Sequence, residues 1–235
     1  MYPIIKASLM AVFFPLLALS ATSWGVHESF SQWSLEGAVK VLNDSPWARQ
    51  ETFTRVIRGV GSGISGEKEI YNTFYVRFLS ARPVREAYAR IQQIQHGYDR
   101  MTPEEKRRFE ALQAGNLDMD VSRFIVLSVG FRSNDPNEES AIRRFFQSET
   151  VETLKAKAFL STPSCPQVEL VAYFPHQEES VGAKFVFPRE VDGAPVIGEH
   201  CPNITLELLD VPGTESRLYA KFEVKSMRVG DQLVF

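Results

Sequence analysis

Cysteine and histidine are scarce in this chain, two of the first and four of the second among 235 residues. That scarcity limits the thiol and metal chemistry the sequence can support. No histidine belongs to an H-E-x-x-H pair, because His27-Glu28 is followed by Ser31 where the second ligand would stand. His200 and Cys201 with Cys165 and His176 form the one combination of plausible zinc-ligand types, and no C-x-x-C or H-x₃-H spacing anchors it. The G-x-S-x-G elbow of a hydrolase serine is missing. Neither cysteine opens a helix, the setting that acidifies a thiol. A basic surplus is missing too: the formal net charge is −3. A nucleic-acid partner is therefore not expected, since displacing phosphate counterions takes a concentrated cationic face.

The apolar stretch near the N-terminus, residues 7–19, falls short of the roughly 20 residues that span a bilayer. Pro15 interrupts it as well. It follows a short cationic start ending at Lys6, and Ala18-Leu19-Ser20 offers small residues where an export peptidase reads. This is the pattern of a signal peptide over residues 1–20. With no cysteine at the cleavage point, a bacterial lipid anchor has no attachment site. The mature chain is expected to be soluble and extracytoplasmic, periplasmic or secreted, with no stable membrane insertion. No internal repeat or low-complexity tract is present.

What remains is ordinary globular material, 44% hydrophobic and 23% charged, long enough for one large or two small domains. Residues 70–115 are the most explicit. Phe74, Val76 and Phe78 alternate with Thr73 and Arg77, the period of a strand with one buried face. Pro83 opens a helix whose stripe is Val84, Ala87, Tyr88 and Ile91, and Gly97 can end it in the left-handed conformation. Thr102-Pro103-Glu104-Glu105 is a capping box for the next helix.

Upstream, Leu35, Ala38, Val39 and Leu42 repeat at helical spacing. The turn Asn43-Asp44-Ser45-Pro46 follows, with Ser45 placed to cap a short helical piece and Trp47 to plug helix against sheet. Residues 51–58 favour a strand paired to the 70–80 strand through the glycine-rich 59–66 connection. Downstream, the 121–131 segment is apolar on both parities at Ile125-Val126-Leu127, as in a central strand covered on both faces. Asp135-Pro136-Asn137-Glu138 caps a helix carrying Ile142, Phe145 and Phe146, and a short helical piece lies at 151–154. The chain then turns to strands at 157–161, 168–174, 183–187, 204–209, 218–225 and 232–235. The fold class expected is α+β: a mixed or antiparallel sheet with packed helices over 21–148, then an antiparallel β-rich region over 149–235, possibly integrated with it into one domain.

Several patterns invite a chemical reading. Gly61-Ser62-Gly63-Ile64-Ser65-Gly66 spells G-x-G-x-x-G, but a strand follows where dinucleotide binding needs a helix, and Glu67 would repel a phosphate. A hairpin loop or ligand-covering flap fits Gly61, Gly63 and Gly66 better. Asn116, Asp118 and Asp120 open like a calcium loop, yet Val121 and Leu127 replace the required glycine and glutamate. Glu138-Glu139 and Glu178-Glu179 read as capping and solvation. Cys165 and Cys201, both followed by proline, suggest a disulfide in an oxidising compartment. Arg77, Arg82, Arg85 and Arg90 lie on the strand and on or beside the exposed side of the first helix of the organising stretch, where they form a solvated, salt-bridged face or together receive an anionic ligand or an acidic partner.

The turn Asn43-Asp44-Ser45-Pro46-Trp47-Ala48, the junction Phe78-Leu79-Ser80-Ala81-Arg82-Pro83-Val84-Arg85 and the strand end Phe185-Val186-Phe187-Pro188-Arg189 resemble signatures shared by a group of uncharacterised exported bacterial proteins. The resemblance implies export and one integrated α+β unit, and supplies no activity. The sequence thus leads to an exported, non-catalytic envelope protein that binds an envelope protein or small ligand, with no cofactor. The alternative is an extracytoplasmic hydrolase using carboxylates or an unrecognised metal site.

Overall fold

The computed structural model describes residues 29–58, 67–177 and 181–235. The expected signal peptide, the loop carrying Gly61, Gly63 and Gly66, and Glu178-Glu179 lie outside the described residues.

Helix α1 (Leu35–Asn43) starts where the Ser34 hydroxyl accepts from the Gly37 amide. Its inward face is Ala38, Val41 and Leu42, whereas Leu35 and Val39 are exposed. The buried stripe is thus rotated from the one expected, because α1 docks on α2 and β1 with its Ala38, Val41 and Leu42 side. The turn after it forms no helical piece. Ser45 instead accepts from the Trp47 amide and β1 (Ala48–Arg58) begins at once. Trp47 is buried, and its indole N–H donates to the Val234 carbonyl at 2.6 Å.

Strand β2 (Glu67–Phe78) pairs antiparallel with β1 and buries Ile70, Asn72, Phe74, Val76 and Phe78, as the alternation dictates. Helix α2 (Arg82–Gln95) carries Pro83 in its first turn, and Gly97 beyond its end sits at φ 68°, a conformation that favours glycine. Helix α3 (Pro103–Leu117) has the full capping box, with Thr102 accepting from the Glu105 amide and Glu105 accepting from Thr102. None of its residues is fully buried.

Strand β3 (Phe124–Ser133) is the covered central strand expected, between β2 and a later strand. Asp135 caps α4 (Pro136–Ser148) by accepting from the Asn137 and Glu138 amides, and α5 (Val151–Leu154) follows. The C-terminal strands are β4 (Ala158–Ser161), β5 (Val168–Glu169), β6 (Ala172–Phe174), β7 (Ala183–Pro188), the small ribbon β8 (Glu190–Val191) with β9 (Ala194–Pro195), β10 (Asn203–Leu209), β11 (Arg217–Glu223), and a last ribbon of β12 (Arg228–Val229) with β13 (Gln232–Leu233). The single strand expected over 168–174 is divided. β5 pairs with β4 in one sheet and β6 with β7 in the other, so the chain changes layers between Glu169 and Ala172.

Two antiparallel sheets result, ordered β1-β2-β3-β7-β6 and β11-β10-β4-β5. The first takes strands from both sides of residue 148, so the two regions share a sheet. One face of that sheet packs on the second sheet and on α4. Phe78 meets Phe222 edge to face at 4.8 Å, while Phe146 lies over Phe131 and Phe185. Across the second sheet Val168, Leu160, Leu206 and Ala220 stand in one register row, all fully buried. Each large side chain removed from water there contributes roughly 1.5–3 kcal/mol. The opposite face of the first sheet, carrying Arg77, Ser128 and Lys184 in register, is covered by α1 and α2.

Cys165 and Cys201 are free thiols, not the disulfide their number and loop settings suggest. The Cys201 thiol is turned to the Asn203 carbonyl of its own loop, at 3.2 Å.

Candidate functional site

The four arginines do not form one exposed face. Arg82 alone is exposed, paired with Glu86 one turn on at 2.8 Å. Arg77 reaches beneath α2, where its Nε donates to the Leu42 carbonyl, Nη2 to Asn43 Oδ1 and Nη1 to the Tyr88 hydroxyl. It therefore ties β2 to both helices. Arg90 is buried, donating to the Trp33 carbonyl, Gln93 and both oxygens of Asp99, and so holds the chain before α1 to the turn after α2. The solvated patch is corrected by these partners: a guanidinium offering five donors in a plane suits a crossing of elements where carbonyls lack partners.

Arg85 is different. It is only 8% exposed. Its Nη1 donates to the Leu79 and Ser80 carbonyls at 3.0 and 2.5 Å, and its Nε to the Leu117 carbonyl at 3.1 Å. The third nitrogen, Nη2, has no partner among the described residues. No described carboxylate forms an ion pair with this guanidinium, and burial lowers its pKa from the ordinary arginine value.

Arg85 borders a cleft of about 750 Å³ between α2, the end of α3 and the start of β7. Two further basic side chains line it, His96 from the end of α2 and Lys184 from β7. Four carboxamides line it as well: Gln92, Gln113, Asn116 and Gln177. Tyr88 contributes its ring, and Leu79, Ala89, Met119 and Val181 the apolar remainder. Among the described lining residues there is no carboxylate. Lys184 stands directly across from Ser128 on β3, and Ser128 from Arg77 on β2. The Ser128 hydroxyl is wholly buried without a hydrogen bond among the described residues; burial raises the pKa of the neighbouring Tyr88 phenol, against the smaller opposing effects of Arg77 and Ser128.

Of the described residues expected to bind, the cleft takes Arg85, and Asn116 of the calcium-like run lines it as well. Gln92 follows Arg85 at i+7 on one face of α2 and Gln113 and Asn116 stand three apart on α3, but no sequence spacing joins the two helices to Gln177 and Lys184. Arg85 did carry a signal: alanines 81 and 89 stand one helical turn to either side of it, and both are buried. A basic residue flanked by small ones on a packed face is positioned to be covered.

The other candidates disperse. Asp118 caps the end of α3 and Asp120 accepts from the Ser122 amide, which holds its carboxyl below the usual range. No three of the described histidine, cysteine and acidic side chains gather around a common point. His176 lies against α4, its ring 5.1 Å from that of Phe131. Its Nε2 accepts from Arg143 at 3.1 Å, which leaves the proton on a buried, unpartnered Nδ1. Burial first, then Arg143 and Arg132, lower its pKa. The folded state thus binds the proton less readily than the unfolded chain. The resulting stability is complete above about pH 6.5, the ordinary histidine value, and is lost as pH falls toward the depressed folded value. Thermal unfolding between pH 7.5 and pH 5 should show a fall in midpoint that His176→Gln reduces.

Neither a family profile, nor a curated protein, nor a solved structure matches the chain. The class is therefore defined by geometry: an α+β protein with a polar, cation-bearing cleft on the helix-covered side of its first sheet. Among the described residues no helix is long and apolar enough to cross a membrane.

Proposed function

We propose that this is an exported, non-catalytic protein of the cell envelope that binds a small polar ligand between α2, α3 and β7. The observation that carries the reading is the largely buried Arg85 side chain, held by three carbonyls with Nη2 unpartnered among the described residues, at the wall of a cleft of about 750 Å³. Volumes of about 300–1,000 Å³ with a few convergent polar groups are those of small-molecule sites. Glu86 and Asp118 act on Arg85 from a distance but form no ion pair with it, and a site that receives an anion from outside compensates its burial. Export rests on the leader pattern of residues 1–20. A carboxylate-based hydrolase finds no support at this cleft, where the described lining carries amides and bases.

Native mass spectrometry of protein purified gently from exporting cells tests the reading. Gln92 is exposed on α2 at the cleft, so Gln92→Trp fills the space without disturbing the core. The wild type should carry a small-molecule adduct released on denaturation, and the variant, folded alike by circular dichroism, should not. Equal adducts on both proteins, or none on the wild type, would contradict it.

A further inference from the structure

We infer that the cleft ligand is an acidic sugar, its carboxylate bound between the Arg85 Nη2 and Lys184 and its hydroxyls read by the carboxamides of Gln92, Gln113, Asn116 and Gln177. This rests on the preceding reading of the cleft as a ligand site and names the chemistry that fits it.

The negative charge follows from Arg85 and Lys184. Arg85 is pre-oriented by Leu79, Ser80 and Leu117, so that binding an anion requires no reorganisation of the side chain. Lys184 projects from β7 in the register row of Ser128 and has no ion pair or side-chain hydrogen bond among the described residues. A guanidinium edge and an ammonium on the walls of one cleft can share the two oxygens of a carboxylate.

The neutral part of the ligand follows from the amides. A carboxamide offers a donor and an acceptor side by side, which matches a hydroxyl that both gives and takes a hydrogen bond. Four such groups around one cleft match a body bearing several hydroxyls. A free amino acid fits less well, because its ammonium, one carbon from the carboxylate, would lie against Arg85 and Lys184. A phosphate dianion also fits less well. The cleft runs from Arg85 along α2 to His96, the C-terminal cap, where the helix presents carbonyls and the negative end of its dipole. One negative charge held at the Arg85 end avoids that repulsion.

Calorimetric titration of the full mature protein with glucuronate, glucose and inorganic phosphate tests the assignment. Glucuronate should bind saturably, with glucose weaker by about tenfold or more, the margin of one charge-assisted pair. Lys184→Gln should remove most of that margin by weakening glucuronate and leaving glucose unchanged. Arg82→Gln, on the exposed side of the same helix, should bind glucuronate as the wild type does. Equal binding of glucose and glucuronate, tighter binding of phosphate, or a Lys184→Gln variant with unaltered preference would overturn the inference. So would silence toward glucuronate, even where the Gln92→Trp comparison still reveals a cleft ligand. The class of ligand and the existence of the site therefore fail separately.

Discussion

Replacing Gly182 by alanine should prevent stable folding or lower unfolding free energy by about 4 kcal/mol or more, at the upper end of single-substitution effects. Gly182 has φ 112°, and a Cβ there would lie 2.4 Å from the Val129 oxygen, 2.6 Å from its carbonyl carbon and 2.7 Å from the Gly130 nitrogen. All three are backbone atoms of the central strand. No side chain can swing aside to make room, so β7 itself would have to separate from β3. The left-handed conformation adds about 1–2 kcal/mol for any residue with a Cβ. Against a total stability of about 5–15 kcal/mol this is a large fraction. The ladder it threatens begins at the next residue, where Ala183 pairs with Val129 and Lys184 with Ser128. The close approach of Gly182 thus fixes both the edge of the core and the position of the cleft lysine. Urea unfolding followed by tryptophan fluorescence reads the effect directly. A wild-type midpoint in Gly182→Ala would show that the two strands are not in this contact.

The second large effect should come from Arg85. Arg85→Met conserves length and removes every donor, leaving the carbonyls of Leu79, Ser80 and Leu117 without the partner they share. A buried acceptor without a donor costs about 1–3 kcal/mol, so a loss of about 3–5 kcal/mol is expected. Arg85→Lys should fall between wild type and Met, because one ammonium cannot reproduce the planar fork. The loss has a local signature. Leu117 is the last residue of α3, a helix that buries none of its residues and is otherwise held by the Tyr98–Glu110 contact and the Phe109 ring. Releasing its carbonyl should raise amide exchange along α3 before it does so in the sheets. Were Arg85 a solvated surface group, both variants would stay within about 0.5 kcal/mol of wild type.

Much of the fold was legible because its signals are local. The alternation of β2, the Pro83 and Gly97 punctuation of α2, the Thr102–Glu105 box and the Asp135 cap each depend on residues within a few positions of one another, and each stands where its chemistry places it. The signals that misled are those with a distant partner. Val168, Leu170, Ala172 and Phe174 share parity, but only the first two are buried, because the chain leaves one sheet for the other between them. Cys165 and Cys201 stand in loops at the ends of strands that pair, and their side chains are not bonded to each other. Leu35 and Val39 satisfy a helical period, yet the docking direction of α1 against α2 leaves them outside.

The cleft was the least legible part. Arginine is read as a surface residue by default, and for Arg82 that is correct. For Arg77, Arg85 and Arg90 the decisive fact is the presence of carbonyls from Leu42, Leu117 and Trp33, supplied by other elements. Gln92 shares a helical face with Arg85 and Gln113 with Asn116, but the two faces meet only because α2, α3 and the start of β7 converge. An amide is also the side chain least informative in isolation, since it is equally at home in water, in a cap or against a ligand.

If the cleft walled by Arg85 and Lys184 receives an acidic sugar, chemical-shift mapping shows it most directly. In a ¹⁵N-labelled sample titrated with glucuronate, the amides of residues 79–96, 113–119, 177 and 181–184 should move together and saturate, with the sheet edge around β1 still. Shifts that never saturate there, or that concentrate on the β1–α4 side around Arg55 and Glu138 instead, would contradict the account.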